Sequence, residues 1–192
     1  MIARALSCIA IGFLVGQPLM TAAQEPDGSW LDAAKPVSWN EAGATVPAAP
    51  PVDEDINPRC AERVRPAELP EDRQLHERGW RLEGPYEGGW GVVVIHGTAT
   101  YDGMCRPWQY QAFVFVRGVF AGTLSPAPMN SRTDGALQRV WLMGDGQLTA
   151  EYSRYAADDP ACCPTSTTLV TFEIAEDGPV VRPLSAVTSR ND

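Results

Sequence analysis

Gln109-Tyr110-Gln111-Ala112-Phe113-Val114-Phe115-Val116 is the stretch that decides the fold. Side chains of a strand alternate between its two faces, so Tyr110, Ala112, Val114 and Val116 fall on one side and Phe113 and Phe115 on the other. A strand apolar on both faces belongs in the middle of a sheet, covered from above and below. Arg117-Gly118 follows it and reads as a tight turn into Val119 to Leu124. Upstream, Val92 to Thr100 is rich in β-branched residues, with Gly97 read as a bulge. Downstream, Leu137 to Met143 and Leu148 to Tyr155 flank Gly144-Asp145-Gly146-Gln147, a second hairpin. Ser166 to Ile174 places Thr168, Val170, Phe172 and Ile174 on one face, and Val180 to Pro183 adds an edge that Pro183 blunts. One helix is expected over Leu69 to Arg78, with Pro70 in its first turn, Glu71 and Asp72 favouring its N-terminal dipole and Gly79 as its cap. The expected architecture is α+β and mostly β: a five- to six-stranded antiparallel sheet of hairpins with one short helix.

The 192 residues carry 15 Lys+Arg against 24 Asp+Glu, a formal charge of −9, and 44% hydrophobic residues. That is enough apolar surface for one core, which excludes wholesale disorder. The acidity excludes nucleic acid as an expected partner, because phosphate binding needs clustered positive charge. Residues 1–23 read as a signal peptide, with Arg4 ahead of an uncharged apolar stretch from Ala5 to Met20 and small residues at Thr21-Ala22-Ala23. Gly12, Gly16, Gln17 and Pro18 interrupt that stretch, so no stable span is expected after cleavage. Cys8 sits inside the apolar stretch instead of directly after it, so a lipid anchor is not expected. Residues 24–58 form a Pro/Ala-rich leader in which seven acidic residues face Lys35 alone. Such a segment is expected to be flexible and extended, with one or both of Trp30 and Trp39 docking on the domain as hydrophobic clips, the alternative being a partner-binding motif. Residues 59–184 are the single folded domain, and 185–192 a tail expected to fray.

Loss of Cys8 leaves Cys60, Cys105, Cys162 and Cys163, an even number that reads as two disulfides in an oxidising compartment. A bond between the adjacent Cys162 and Cys163 demands an unusual geometry. The expected connectivities therefore join that pair to both Cys60 and Cys105, in either of two ways. Without C-x2-C spacing, a zinc site is not expected.

Several motifs in fixed order carry a resemblance. They are Asn57-Pro58-Arg59-Cys60, Gly79-Trp80, Asp102-Gly103-Met104-Cys105-Arg106-Pro107, Phe113 to Val116, Phe120 to Pro126, Ser131 to Ala136, Arg154-Tyr155, and Asp159-Pro160 through Cys162-Cys163-Pro164. Trp39-Asn40 resembles the start of the same pattern. Over residues 38–174 the chain resembles the LppP/LprE family of bacterial exported proteins. The resemblance implies an envelope protein of undefined activity; the chain departs from the lipoprotein pattern in lacking a usable lipidation cysteine.

Catalytic constellations are thin. Nucleophilic hydrolysis needs a Ser or Cys, a base and a group orienting the base. His96 lies in an apolar strand and reads as structural, while His76 is solvated on the helix. No G-x-S-x-G, H-E-x-x-H or phosphate-cradling glycine loop is present, and no cofactor or metal is expected. The candidate ligand-binding residues are Ser131, Arg132 and Asp134, in the connection between two hairpins, with Arg106, Arg154 and Tyr155 expected at the same end of the sheet. An Arg fork there suits a carboxylate or phosphate of an envelope component. The same cluster equally builds a turn in which Asp134 or Ser131 caps backbone N–H groups and Arg132 pairs with a carboxylate. The first functional reading is a secreted, non-catalytic binding or structural module. Its alternative is an enzyme acting on envelope polysaccharide or peptidoglycan, with Asp102, Asp134 and Glu151 as the available carboxylates. A membrane-tethered accessory protein is a third class, and it requires the signal to be retained. Mass spectrometry of the exported protein separates these: a mature chain beginning at Gln24 is expected, and a mass that retains residues 1–23 means a tethered protein.

Overall fold

The computed structural model describes residues 29–52, 57–175 and 178–191. The signal peptide read over 1–23, with Cys8 and the junction at Gln24, lies outside the described residues. Eight strands follow one helix in chain order: α1 (Pro70–Glu77), β1 (Arg81–Gly89), β2 (Val92–Tyr101), β3 (Pro107–Val116), β4 (Val119–Thr123), β5 (Ala136–Met143), β6 (Gln147–Arg154), β7 (Ser166–Ala175) and β8 (Val180–Arg190). They form two four-stranded antiparallel sheets, β1-β2-β3-β4 and β5-β6-β7-β8. The fold is mostly β with one short helix, as expected, but the single sheet of five or six strands is corrected to two sheets. The sheet breaks after Leu124, whose N–H still donates to the Ala112 carbonyl of β3 at 3.0 Å while its own carbonyl accepts the Tyr152 hydroxyl at 2.8 Å: Ser125-Pro126-Ala127-Pro128 then leaves the ladder, and Pro has no N–H to donate.

β3 behaves as its alternation requires. Tyr110, Ala112, Val114 and Val116 join the cluster between the sheets, with Tyr152, Val170, Phe172 and Ile174 from the second sheet. Phe113 and Phe115 join a second cluster on the outer face, with Val46, Leu75, Trp80, Leu82, Ile95 and Phe120. Gly97 is not a bulge, since β2 pairs continuously with β3 there. Its missing side chain leaves room instead: a Cβ would lie 3.0 Å from Phe113 and 3.3 Å from Trp80. The bulge belongs to β1, where pairing with β2 shifts between Glu83 and Glu87, around Gly84 and Pro85.

The helix starts where Pro70 and Asp72 dictate. The buried Asp72 carboxylate accepts the N–H groups of Glu68 and Leu69 at 2.9 Å each and a two-pronged contact from Arg65 at 2.7 and 2.8 Å. Burial pushes the Asp72 carboxyl up, but Arg65 and the two N–H groups outweigh it and hold it below its ordinary range.

The leader is a strap, which corrects the flexible reading over its described residues. Trp30 and Trp39 dock as expected, edge to face with each other at 5.1 Å and against Tyr152 and Phe172 at 5.6 and 6.2 Å. Leu31 between them is buried in the inter-sheet cluster. Further along, Val46 enters the outer cluster, the Trp80 indole donates to the Pro47 carbonyl at 2.8 Å, and the Ala49 N–H donates to the Arg78 carbonyl at 2.8 Å. The strap therefore contacts both cores. Asn40 pins it midway. Its amide nitrogen donates to the carbonyls of Thr123 on β4 and Val181 on β8, at 2.9 Å each, while its amide oxygen accepts the Thr123 N–H at 2.9 Å.

The tail is also corrected: Ser185 to Arg190 complete β8, paired with β7 down to Ser166↔Arg190. Pro183 does sit at an irregularity of this edge strand. The disulfide connectivity is different from both expected forms. Cys60 bonds Cys105, with Cα atoms 5.2 Å apart, and Cys162 bonds its neighbour Cys163. Cys60 and Cys105 lie before β1 and in the β2–β3 turn, against the first sheet, whereas Cys162 and Cys163 lie in the β6–β7 connection of the second.

Gly122 and Asn40 form one lock. Gly122 has φ +135°, and a Cβ built on it would lie 2.3 Å from Asn40 Cγ. Gly122→Ala is expected to cost about 2 kcal/mol or more, and Asn40→Ala a similar amount through the backbone groups it leaves unpaired. In urea unfolding the double variant should lose less than the sum of the two, because both changes destroy the same contact.

Candidate ligand-binding site

The two sheets close differently at their two edges. Asn40 bridges β4 to β8, whereas β1 meets β5 around a cleft of about 400 Å³. The reason lies in β1. Glu83 pairs with His96 and Glu87 with Val94, so both glutamates share the face on which Val94 enters the inter-sheet cluster. Charged side chains where that face would otherwise carry apolar ones leave the sandwich open and polar at this edge.

The cleft is lined by Glu83, Glu87, His96, Arg106, Ser131 and Tyr155, among others. Arg63 Nε contacts the Glu83 carboxylate at 2.9 Å, and His96 Nε2 lies 3.0 Å from Glu87 Oε2. Burial lifts the Glu83 carboxyl above its ordinary range, with Arg63 and His96 opposing. Arg106 Nε contacts Asp102 Oδ2 at 2.6 Å, and Asp102 also accepts the N–H groups of Met104 and Arg106 at 2.8 and 2.9 Å. This carboxylate closes the β2–β3 turn that holds Cys105 at φ +58°. Tyr110 ties the cleft to both sheets: its hydroxyl donates to the Gly135 carbonyl at 2.5 Å and accepts the Leu137 N–H at 2.9 Å.

Of the residues expected in the site, Arg106, Ser131 and Tyr155 line the cleft. Ser131 serves the backbone, its N–H and Oγ donating to the Pro107 carbonyl at 3.1 and 2.8 Å. Arg132 lies over the Tyr155 ring, 4.6 Å from its centre, and Nη2 donates to the Asp159 carbonyl at 2.6 Å. Its Nη1 is buried without a hydrogen-bond acceptor. Asp134 turns inward to its own loop, accepting the Asn130 N–H at 2.7 Å and the Thr133 hydroxyl at 2.9 Å. Arg154 faces elsewhere, contacting Asp32 of the strap at 3.0 Å and Thr168 at 3.4 Å. Glu83 and Glu87 were not foreseen, because Gly84 and Pro85 interrupt the alternation of β1. His96, read as structural, is held by Glu87 and also lines the cleft.

Fold and cleft together define a disulfide-tied protein of two packed β-sheets, with a polar opening at one edge and an N-terminal strap sealing the other. Residues 90–177 match the family model described as LppP/LprE lipoprotein, which bears out the resemblance over that segment, the motifs before Trp90 lying outside the match, and suggests an envelope location. The matched segment runs from the β1–β2 turn to just beyond β7 and contains Arg106, Ser131, Arg132 and Tyr155. No curated protein and no solved structure matches the chain. Among the described residues, no helix is long and apolar enough to cross a membrane, and no group of His, Cys, Asp and Glu is arranged to hold a metal ion.

Burial works against the Asp102 charge, but the Arg106 N–H and guanidinium and the Met104 N–H outweigh it and hold the carboxyl below its ordinary range. Its contribution to stability is therefore complete above the unfolded-state value of about 3.9 and is lost as pH falls through the folded-state value. Asp102→Asn is expected to cost about 1 kcal/mol at neutral pH. In urea unfolding that difference from the wild type should close as the pH is taken well below the ordinary carboxylate range.

Proposed function

We propose that this protein is an exported, non-catalytic binding module of the cell envelope, whose cleft takes a component bearing carboxylate or phosphate groups. The observation that carries the reading is Arg132, whose guanidinium is fixed by the Tyr155 ring and the Asp159 carbonyl while Nη1 is buried with no acceptor. A buried cationic N–H without a partner is costly, and an anionic oxygen brought by a ligand would satisfy it. Arg132 does not itself line the cleft but lies over the Tyr155 ring, which with Arg106 borders it, so a ligand entering there would meet charge and an aromatic face together. Glu83 and Glu87 in the cleft are held by Arg63 and His96, and the carboxylates named for a hydrolytic enzyme lie elsewhere. Asp102 and Asp134 accept N–H groups of their own turns, and none of Asp102, Asp134 and Glu151 lines the cleft. Export after removal of residues 1–23, without a lipid anchor, is part of the proposal; the family description leaves room for a lipidated form.

Titrating the protein with glucuronate and with glycerol phosphate, followed by NMR, tests it. Shifts are expected to gather on Arg132, Tyr155 and Arg106, with affinity falling about tenfold or more in Arg132→Gln. Arg106→Gln, which leaves the Asp159 contact intact, should weaken binding as well. Equal binding by both variants, or shifts scattered away from the cleft, would overturn the proposal.

A further inference from the structure

The two disulfides of this chain differ in kind. Cys60 is fully buried and its bond to Cys105 joins residues 45 apart, so it holds the segment before the helix against the β2–β3 turn. Cys162 and Cys163 are both exposed, and their bond joins adjacent residues. A crosslink limits the unfolded chain more the longer the loop it closes, and a bond between neighbours closes almost none. The loop also has another means of support. The Asp159 carboxylate accepts the N–H groups of Ala156 and Thr165, at 2.7 and 2.8 Å, together with the Thr165 hydroxyl. The Cys163 N–H donates to the Pro160 carbonyl at 3.2 Å, and Arg132 holds the Asp159 carbonyl. Below the loop β6 and β7 pair without interruption, from Gln147↔Glu173 to Arg154↔Ser166. The conformation of this connection is thus specified without the sulfur bond.

From a disulfide that is exposed to solvent and has little to stabilise, we infer that Cys162-Cys163 is a site of reversible thiol–disulfide exchange with an external dithiol. Exchange requires a thiolate to reach a disulfide sulfur, and exposed bonds are the ones that take part. One thiolate of the dithiol attacks the sulfur of either cysteine, forming a mixed disulfide and breaking the Cys162–Cys163 bond. The displaced cysteine thiolate takes up a proton. The second thiolate of the dithiol then attacks its own sulfur in the mixed disulfide, closes its own disulfide and releases the other cysteine, which is also protonated. Two electrons pass from the dithiol, which is oxidised, to the cysteine pair, which ends as two thiols. Oxidation of the pair by a disulfide reverses each step. Cys60–Cys105, with Cys60 inaccessible, takes no part.

The experiment uses the full chain, equilibrated in buffers of graded ratios of reduced to oxidised dithiothreitol, then quenched, alkylated and mapped by peptide mass spectrometry. Cys162 and Cys163 are expected to be half reduced at a ratio at least tenfold lower than Cys60 and Cys105. The variant with both Cys162→Ser and Cys163→Ser should unfold at the same urea midpoint as the wild type, since the bond is not structural. Reduction of the two pairs at one ratio would overturn the inference. So would a clear fall in the midpoint of the double variant, or a non-reducing map in which Cys162 or Cys163 is joined to Cys60 or Cys105.

Discussion

The rest of the structure follows from the burial of β3 on both faces. Its even-numbered side chains need one apolar cover and Phe113 and Phe115 need another. The second sheet supplies the first cover. For the other, the described residues offer one eight-residue helix, which brings a single fully buried leucine, Leu75, to the outer core. The deficit is met from two places: Trp80, packed edge to face on Phe113 at 4.9 Å, and the strap, which lays Val46 and Ala49 beside it. A leader that would be too acidic and proline-rich to fold by itself becomes ordered because it completes a core that is otherwise exposed.

Local patterning made most of the elements legible. Strands β2 to β7 were readable because their side chains alternate and their turns carry glycine, and the helix because Pro70 and two acids mark its start. What escaped depends on contacts distant in sequence. Hairpins state which neighbours pair, but nothing local says that β4 and β5 do not, so two sheets read as one. β1 was hidden by Gly84-Pro85, which reads as a break and serves as a bulge. The end of β8 looked like a polar tail because its outward residues, Ser185 and Ser189 among them, are those of an edge strand. Cysteine pairing is a property of the folded sheets, and no spacing in the chain distinguishes the buried pair from the exposed one.

The candidate site was legible in Arg106, Ser131 and Tyr155 and opaque in its acids. Arg106, Ser131 and Tyr155 do border one cleft, because the β2–β3 turn and the connections following β4 and β6 lie at the same end of the sandwich. Arg154 parts from Tyr155, since it is the last residue of β6 and Tyr155 already belongs to the connection that follows. Glu83 and Glu87 could be placed only once β1 was seen to face the second sheet, and they are what keeps that edge from packing shut.

The Asn40 bridge has a kinetic side. Its partners, Thr123 and Val181, lie 83 and 141 residues further along the chain. Contacts of that separation are slow to form, because a long loop must close before it is rewarded. A chain appearing from its N-terminus carries the strap long before β8 exists to receive it. The Asn40 bridge is therefore the contact of the strap that must wait longest, since Val181 follows Thr123 by most of the second sheet. Under the export proposed above, a closure that waits for the final strand would keep the molecule threadable until almost all of it had passed.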